Sequence, residues 1–233
     1  MQEQPHGFLL VDKPAGMTSH DVIDVLRRVT GIRKIGHAGT LDPFATGLLI
    51  VAVSRKATKR ISEYSKMSKV YEAEFVLGAT SETLDPDSEI LKSDPVIELS
   101  SDQVRKAMKK LTGEILQVPP MYSAIKMKGK KLYELARKGE VVEREPRPVT
   151  VHSFELLSDP HIHNGLATIS IRTNVSSGTY IRVLAQDLAA ALGTVAYVKT
   201  LRRTSIDKFK IENATPLGEI TGENWQNLLI DAQ

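Results

Sequence analysis

The 233-residue chain predicts an α+β fold. Strand-like and helix-like apolar spacings both occur, but without the strict strand–helix–strand rhythm of a parallel α/β sheet. No linker-like or low-complexity stretch divides them. A prior of about 150 residues per domain allows one large domain or two small ones. The absence of a linker favours a single domain over residues 1–233.

The elements follow in order. Residues 8–11 read as a short buried strand. Thr18 and Ser19 offer a helix cap, Val22, Leu26 and Val29 share one face, and Gly31 supplies the stop. Residues 36–47, with Gly36, Gly39, Gly47 and Pro43, read as a loop. The unbroken apolar run 48–53 is a central strand, and 70–77 another. Residues 82–98 read as an acidic loop. Ser101 caps a helix with Val104, Met108 and Leu111 inward, ended by Gly113. Val118-Pro119-Pro120 breaks the chain. A basic hairpin over 123–132, turning near Lys128-Gly129, leads into a short helix ending at Lys138-Gly139. Residues 149–157 and 166–172 form a strand pair joined by a turn rich in Pro, His, Asn and Gly. Thr179 opens a helix with Ile181, Leu184, Leu188 and Leu192 inward and Gly193 as stop. Residues 195–201 and 206–211 complete the set as strands.

Composition narrows the chemistry. Zero cysteine excludes disulfides, thiolate nucleophiles and Cys-ligated metal centres, and fits a reducing compartment. The run 48–53 is too short to span a membrane, and the start shows no signal peptide, since Asp12 and Lys13 cut the apolar run of 8–11. Net charge is only +3, yet the basic residues gather in blocks at 55–69, 126–147 and 199–210. The segment 82–102 is acidic. Each block alone reads as a solvated face. Three together point to a polyanion, because each neutralised phosphate releases counterions. Twelve aromatics are few for a protein that stacks along a single strand.

Two segments can carry chemistry. In Gly36-His37-Ala38-Gly39-Thr40-Leu41-Asp42-Pro43-Phe44-Ala45-Thr46-Gly47, glycines allow close backbone approach, and Asp42 sits before a proline and close to an apolar strand. A carboxylate so held is a candidate nucleophile or base. Asp-Pro alone is common turn punctuation, and it occurs here at Asp42, Asp85, Asp94 and Asp159. The string Thr-Leu-Asp-Pro itself occurs twice, at 40–43 and 83–86. In Ser176-Ser177-Gly178-Thr179-Tyr180-Ile181-Arg182, a helix start offers N–H groups to an anion. Arg182 lies in its first turn, where the dipole disfavours a cation, so it needs an acidic partner or a phosphate. His161 and His163 read as a surface turn rather than a metal site. Nucleotide-cofactor loops and a Gly-x-Ser-x-Gly elbow are absent.

The Gly36–Pro43 string with Ala45-Thr46-Gly47-Leu48-Leu49 resembles the TruB-type pseudouridine synthases. So do the opening residues 7–19, Lys69-Val70-Tyr71 leading into Leu77-Gly78, and Pro119-Pro120-Met121-Tyr122-Ser123-Ala124-Ile125-Lys126. Further matches are Leu132-Tyr133-Glu134-Leu135-Ala136-Arg137-Lys138-Gly139 and Gly178-Thr179-Tyr180-Ile181-Arg182. Ala38 and Phe44 depart from the commoner Thr and Leu. The resemblance implies a central mixed, mainly antiparallel sheet flanked by helices. It implies one catalytic domain with a basic RNA-binding insertion near 119–147; many members continue into a C-terminal PUA domain, and a second departure is that the sequence stops at Gln233 without one, the domain being either naturally missing or removed. The implied reaction is isomerisation of uridine to pseudouridine at position 55 in the T-arm loop of tRNA. It would need no cofactor and no metal, in a cytoplasmic monomer that needs no protein partner. By the same resemblance Asp42 is the nucleophile, Tyr71 stacks on the target base and is placed as general base, and Arg182 pairs with the catalytic Asp. Asp85 orients that arginine, His37 fills the gap left by the extruded nucleotide, and Leu201 walls the base pocket. Tyr180 joins the substrate-binding set, and Lys126 and Arg137 are expected to touch phosphates. Two alternatives stand beside this: a tRNA-binding or tRNA-folding protein without essential catalysis, and an RNA-guided relative acting on ribosomal RNA.

Overall fold

The computed structural model describes residues 4–127 and 129–230, and for Lys126 and Lys131 the backbone alone. The elements run β1 (Gly7–Lys13), α1 (Ser19–Thr30), β2 (Ile35–Ala38), β3 (Thr46–Val53), α2 (Ser54–Thr58), α3 (Ile61–Ser65), β4 (Lys69–Leu77), β5 (Ala79–Ser81) and β6 (Ile90–Lys92). Then come α4 (Ser101–Lys110), β7 (Gly113–Gln117), β8 (Lys126–Met127), β9 (Lys130–Lys131), α5 (Leu132–Ala136), β10 (Arg147–Leu156), β11 (His161–His163) and β12 (Leu166–Val175). The chain continues through α6 (Ile181–Ala191), β13 (Ala196–Ile206), β14 (Phe209–Lys210) and β15 (Thr215–Pro216). They cluster into two compact units, Met1–Glu72 with Leu201–Gln233, and Ala73–Thr200, whose boundaries fall inside β4 and β13.

In the first unit β3 is the central strand. It pairs antiparallel with β1, Phe8 opposite Ala52 and Val11 opposite Leu49. Its other edge takes β2 antiparallel and β13 parallel, with Arg203 beside Gly47. β15 adds to β1 in parallel. The period of two then explains the unbroken apolar run. Leu49, Val51 and Val53 face one core with Val22, Ile23 and Leu26 of α1 and Trp225. Leu48, Ile50 and Ala52 face a second core with Phe8, Leu10 and Tyr64. α1 starts with a capping box between Thr18 and Asp21 and ends at Gly31, whose φ of 70° is left-handed.

In the second unit the strand pairs of β10, β11, β5–β6 and β8–β9 are antiparallel. β10 lies between β7 and β12, with a bulge between Val151 and Ser153. β11 extends β12, and β5–β6 and β8–β9 are separate hairpins. α4 packs on β10 and on α6. α6 buries Ile181, Val183, Leu184, Leu188 and Ala189 together with Arg182.

The α+β class and the mixed, mainly antiparallel sheet with flanking helices stand. Several local expectations change. Residues 36–38 of the expected loop belong to strand β2, because their N–H and C=O groups find the open edge of β3. The cap of α4 is Ser100, one residue early, in a box with Gln103, and Leu111 falls just past the helix. Residues 113–117 are the strand β7. His161 and His163 lie on strand β11, and the turn is Asn164-Gly165, with φ of 51° and 76°. The expected strand 195–201 runs on to Ile206 as β13, and the expected 206–211 is reduced to its start in β13 and the short strand β14. The third basic block is only partly open surface: Arg203 is buried and Arg202 pairs with Asp12, while Lys208, Lys210 and Lys199, the last paired with Glu74, are exposed. Among the described residues no helix is long and apolar enough to cross a membrane.

Candidate active site

Asp42 lies in the connection between β2 and β3, half-buried. The backbone around it is tied down residue by residue. The Gly39 carbonyl accepts from Arg203 Nη2 at 3.1 Å. The Leu41 N–H donates to Ser19 Oγ at 2.8 Å, and the same hydroxyl donates back to the Leu41 carbonyl at 3.2 Å. The Asp42 carbonyl accepts from Ala45 N–H at 3.1 Å. The Pro43 carbonyl accepts from Gly16 N–H at 2.9 Å and from Lys13 Nζ at 3.3 Å. A connecting loop usually gives its polar groups to water. This one gives them to protein donors and acceptors.

Tyr71, on β4, is 7% exposed. Its hydroxyl lies 3.5 Å from Arg203 Nη1, a long contact, and the guanidinium carbon is 6.0 Å from its ring centroid. Arg203 also donates through Nε to the Leu48 carbonyl at 2.7 Å. Gly47 is required beside it: its φ is 105°, and a Cβ there would stand 2.3 Å from the Arg203 carbonyl oxygen. Lys69 is buried and donates to the Ser65 and Met67 carbonyls. Burial, helped by the Arg203 charge, pulls its ammonium down to about 8. His37 on β2 is pushed down to about 4, mainly by burial and then by Arg203, so its ring is neutral at physiological pH. Its Nδ1 is buried with no hydrogen-bond partner among the described residues. Leu201 is buried in the same unit.

The second unit holds the other expected residues. Arg182 and Asp85 form a buried ion pair, Nη1 to Oδ2 at 3.2 Å, each side chain 4% exposed. Arg182 also donates to the Thr83 carbonyl at 2.6 Å and the Tyr122 carbonyl at 2.9 Å. Asp85 Oδ1 accepts from Thr83 Oγ1 at 2.5 Å and from Asp87 N–H at 3.0 Å. The acidic partner that an arginine in the first turn of α6 requires is therefore present. At the start of α6, Gln117 holds the N-cap residue: Tyr180 N–H donates to Gln117 Oε1 at 2.8 Å, and Gln117 Nε2 to the Tyr180 carbonyl at 3.2 Å. Arg137 is exposed, 5.5 Å from the Tyr133 ring. Lys126 lies on β8, its side chain outside the described residues.

Ser19, Lys13, Lys69 and Arg203 are polar residues of the first unit that were not among the expected site residues. Arg203 had a readable signal: on a strand, the buried Leu201 places residue 203 on the same face. Among the described residues no group of three or more His, Asp or Glu side chains is arranged to hold a metal ion.

Residues 27–181 match the TruB family pseudouridylate synthase (N terminal domain). The class is thus that of the pseudouridine synthases, and the protein is an enzyme. The tRNA pseudouridine synthase B of Corynebacterium efficiens is 44% identical over 228 residues, 98% of this chain and 76% of that one. The protein of the same name from Endomicrobium trichonymphae is 47% identical over 208 residues, 89% and 88% of the two chains. The crystal structure of a Cbf5-Nop10-Gar1 complex matches with a TM-score of 0.72 at 30% identity, over 95% of this chain and 55% of that one. The chain belongs to the TruB family of pseudouridylate synthases.

Proposed function

We propose that the chain converts uridine to pseudouridine at position 55, in the T-arm loop of tRNA, with Asp42 as nucleophile. The observation that carries the residue assignment is the Asp42 turn, fixed through its backbone in the same compact unit as Tyr71, Leu201 and the neutral His37. The relatives named tRNA pseudouridine synthase B, 44% and 47% identical, support tRNA as the substrate. The Cbf5-Nop10-Gar1 complex is less similar, at 30% identity.

The reaction breaks the bond from N1 to C1′, turns the base, joins C5 to C1′, loses the proton of C5 and gains one on N1. Atoms and oxidation state balance with no co-reactant. The uridine must leave the helix stack to turn, at a cost of a few kcal/mol. Tyr71 supplies a ring face for the extruded base and is placed to take the C5 proton. His37, kept neutral by burial, offers an uncharged ring to the gap left behind. Leu201 bounds the base. Arg182, positioned by Asp85, is the arginine that the resemblance pairs with Asp42. Tyr180, Lys126 and Arg137 belong to RNA binding, the last two within a basic insertion near 119–147. Residues 1–233 serve this one function in the cytoplasm.

The test is tritium release from a T-arm stem-loop carrying C5-tritiated uridine. Release is expected from the loop with uridine at 55 and not from one with cytidine there. Tight binding without release supports the binding-protein alternative and contradicts the reading. Affinity should also fall steeply with salt, because phosphate contacts release counterions.

A further inference from the structure

Two buried polar side chains, Ser19 and Arg203, have no part in the proposed chemistry. Each is 1% exposed. Ser19 opens α1 but does not cap it; that role belongs to Thr18. Its hydroxyl both accepts from and donates to the backbone of Leu41, the residue before Asp42. Arg203 spans two carbonyls, Leu48 on β3 through Nε and Gly39 through Nη2. Burying a guanidinium is costly unless its donors are used. These are used to hold the turn to a central strand. Gly39 has a φ of 83°, and a Cβ there would lie 3.5 Å from both Arg203 Nη1 and Lys69 Cε, so the turn rests against both cationic side chains.

We infer that Ser19 and Arg203 are positioning residues that act as a two-point clamp on Gly39–Leu41 and thereby set where the Asp42 carboxylate stands. The inference rests on the reading of Asp42 as nucleophile. A nucleophile is effective only in a near-attack geometry, and a displacement of about 1 Å costs about 100-fold in rate. Ser19 and Arg203 come from elements far apart in sequence, α1 and β13. Releasing either point frees the turn at one place while the other still holds.

The test measures kcat and KM on the T-arm stem-loop for Ser19→Ala, Arg203→Lys and both together, well below each variant's unfolding temperature. Ser19→Ala removes the hydroxyl and adds no bulk. Arg203→Lys keeps the charge but cannot bridge both carbonyls. Each single variant is expected to lose about 10- to 100-fold in kcat, with KM within about threefold of wild type. The double variant is expected to lose more than the product of the two, because neither point then holds the turn. Ile23→Val, in the core contacts of α1, controls for stability: it lowers the unfolding temperature and leaves kcat unchanged. If Ser19→Ala is not recovered folded, Ser19→Cys, with weaker hydrogen bonding, replaces it. A kcat within about twofold of wild type in the Ser19 variant and in Arg203→Lys overturns the clamp. A raised KM at unchanged kcat also overturns it. Asp42→Asn in the same assay separates the two failures: if it turns over, the nucleophile reading is wrong, and if it is dead while the clamp variants are normal, only the clamp is wrong.

Discussion

Both Thr-Leu-Asp-Pro turns are held through peptide groups, the first by Ser19, Arg203, Gly16 and Lys13 and the second by Ser88, Arg182, Val198 and Ser81, and in the second the carboxylate also holds an arginine. In the second turn both oxygens of Asp85 are taken, one by Thr83 and the Asp87 N–H, the other by Arg182. Leu84 pays with a left-handed φ of 61°, and its carbonyl accepts from Val198 N–H. In the first turn Ser19, Arg203, Gly16 and Lys13 hold the peptide groups on either side of Asp42. The same four residues therefore serve two ends. A carboxylate saturated by internal donors fixes an arginine. A turn held through its peptide groups by side chains of α1 and β13 fixes where its carboxylate stands, which suits a reacting group.

Stability measurements test the contrast. The largest effect is expected for Asp85→Ala, which leaves Arg182 buried without its counter-charge: about 3–5 kcal/mol, read from the urea midpoint. Gly47→Ala strikes the support of the first turn, by clash with the Arg203 backbone and a positive φ, and should cost about 3 kcal/mol. Acid should weaken the first unit through His37. Its folded pKa, about 4, lies below the ordinary 6.5, so the unfolded chain binds the proton more readily and stability falls from about pH 6.5 toward 4. His37→Gln should flatten that part of a pH series of denaturation curves. The smallest effect is expected at Thr18→Ala, about 1 kcal/mol from loss of the α1 cap, with kcat unchanged because Ser19 still reaches Leu41.

Much of this was legible because it is local. Thr18, Gly31 and the run 48–53 declare a cap, a stop and a strand buried on both faces by residue type alone. The glycine-framed Asp42 turn and the need of Arg182 for a partner follow from backbone freedom and the helix dipole. Which carboxylate meets Arg182 in this fold is a long-range fact, since residues 85 and 182 meet only through tertiary structure. Arg203 was hidden by its neighbours: in a run of cations it reads as solvated, and only the phase set by Leu201 turns it inward. Ser19 was read as a cap because its true partner, Leu41, lies 22 residues away.

The most direct test of the account compares Asp42→Asn with Asp85→Asn on one T-arm stem-loop, scoring tritium release and RNA affinity together. For Asp42→Asn the account predicts wild-type affinity, a fold no less stable than that of Asp85→Asn, and turnover lower by about 1000-fold or more. Normal turnover by Asp42→Asn, with folding and binding intact, contradicts it.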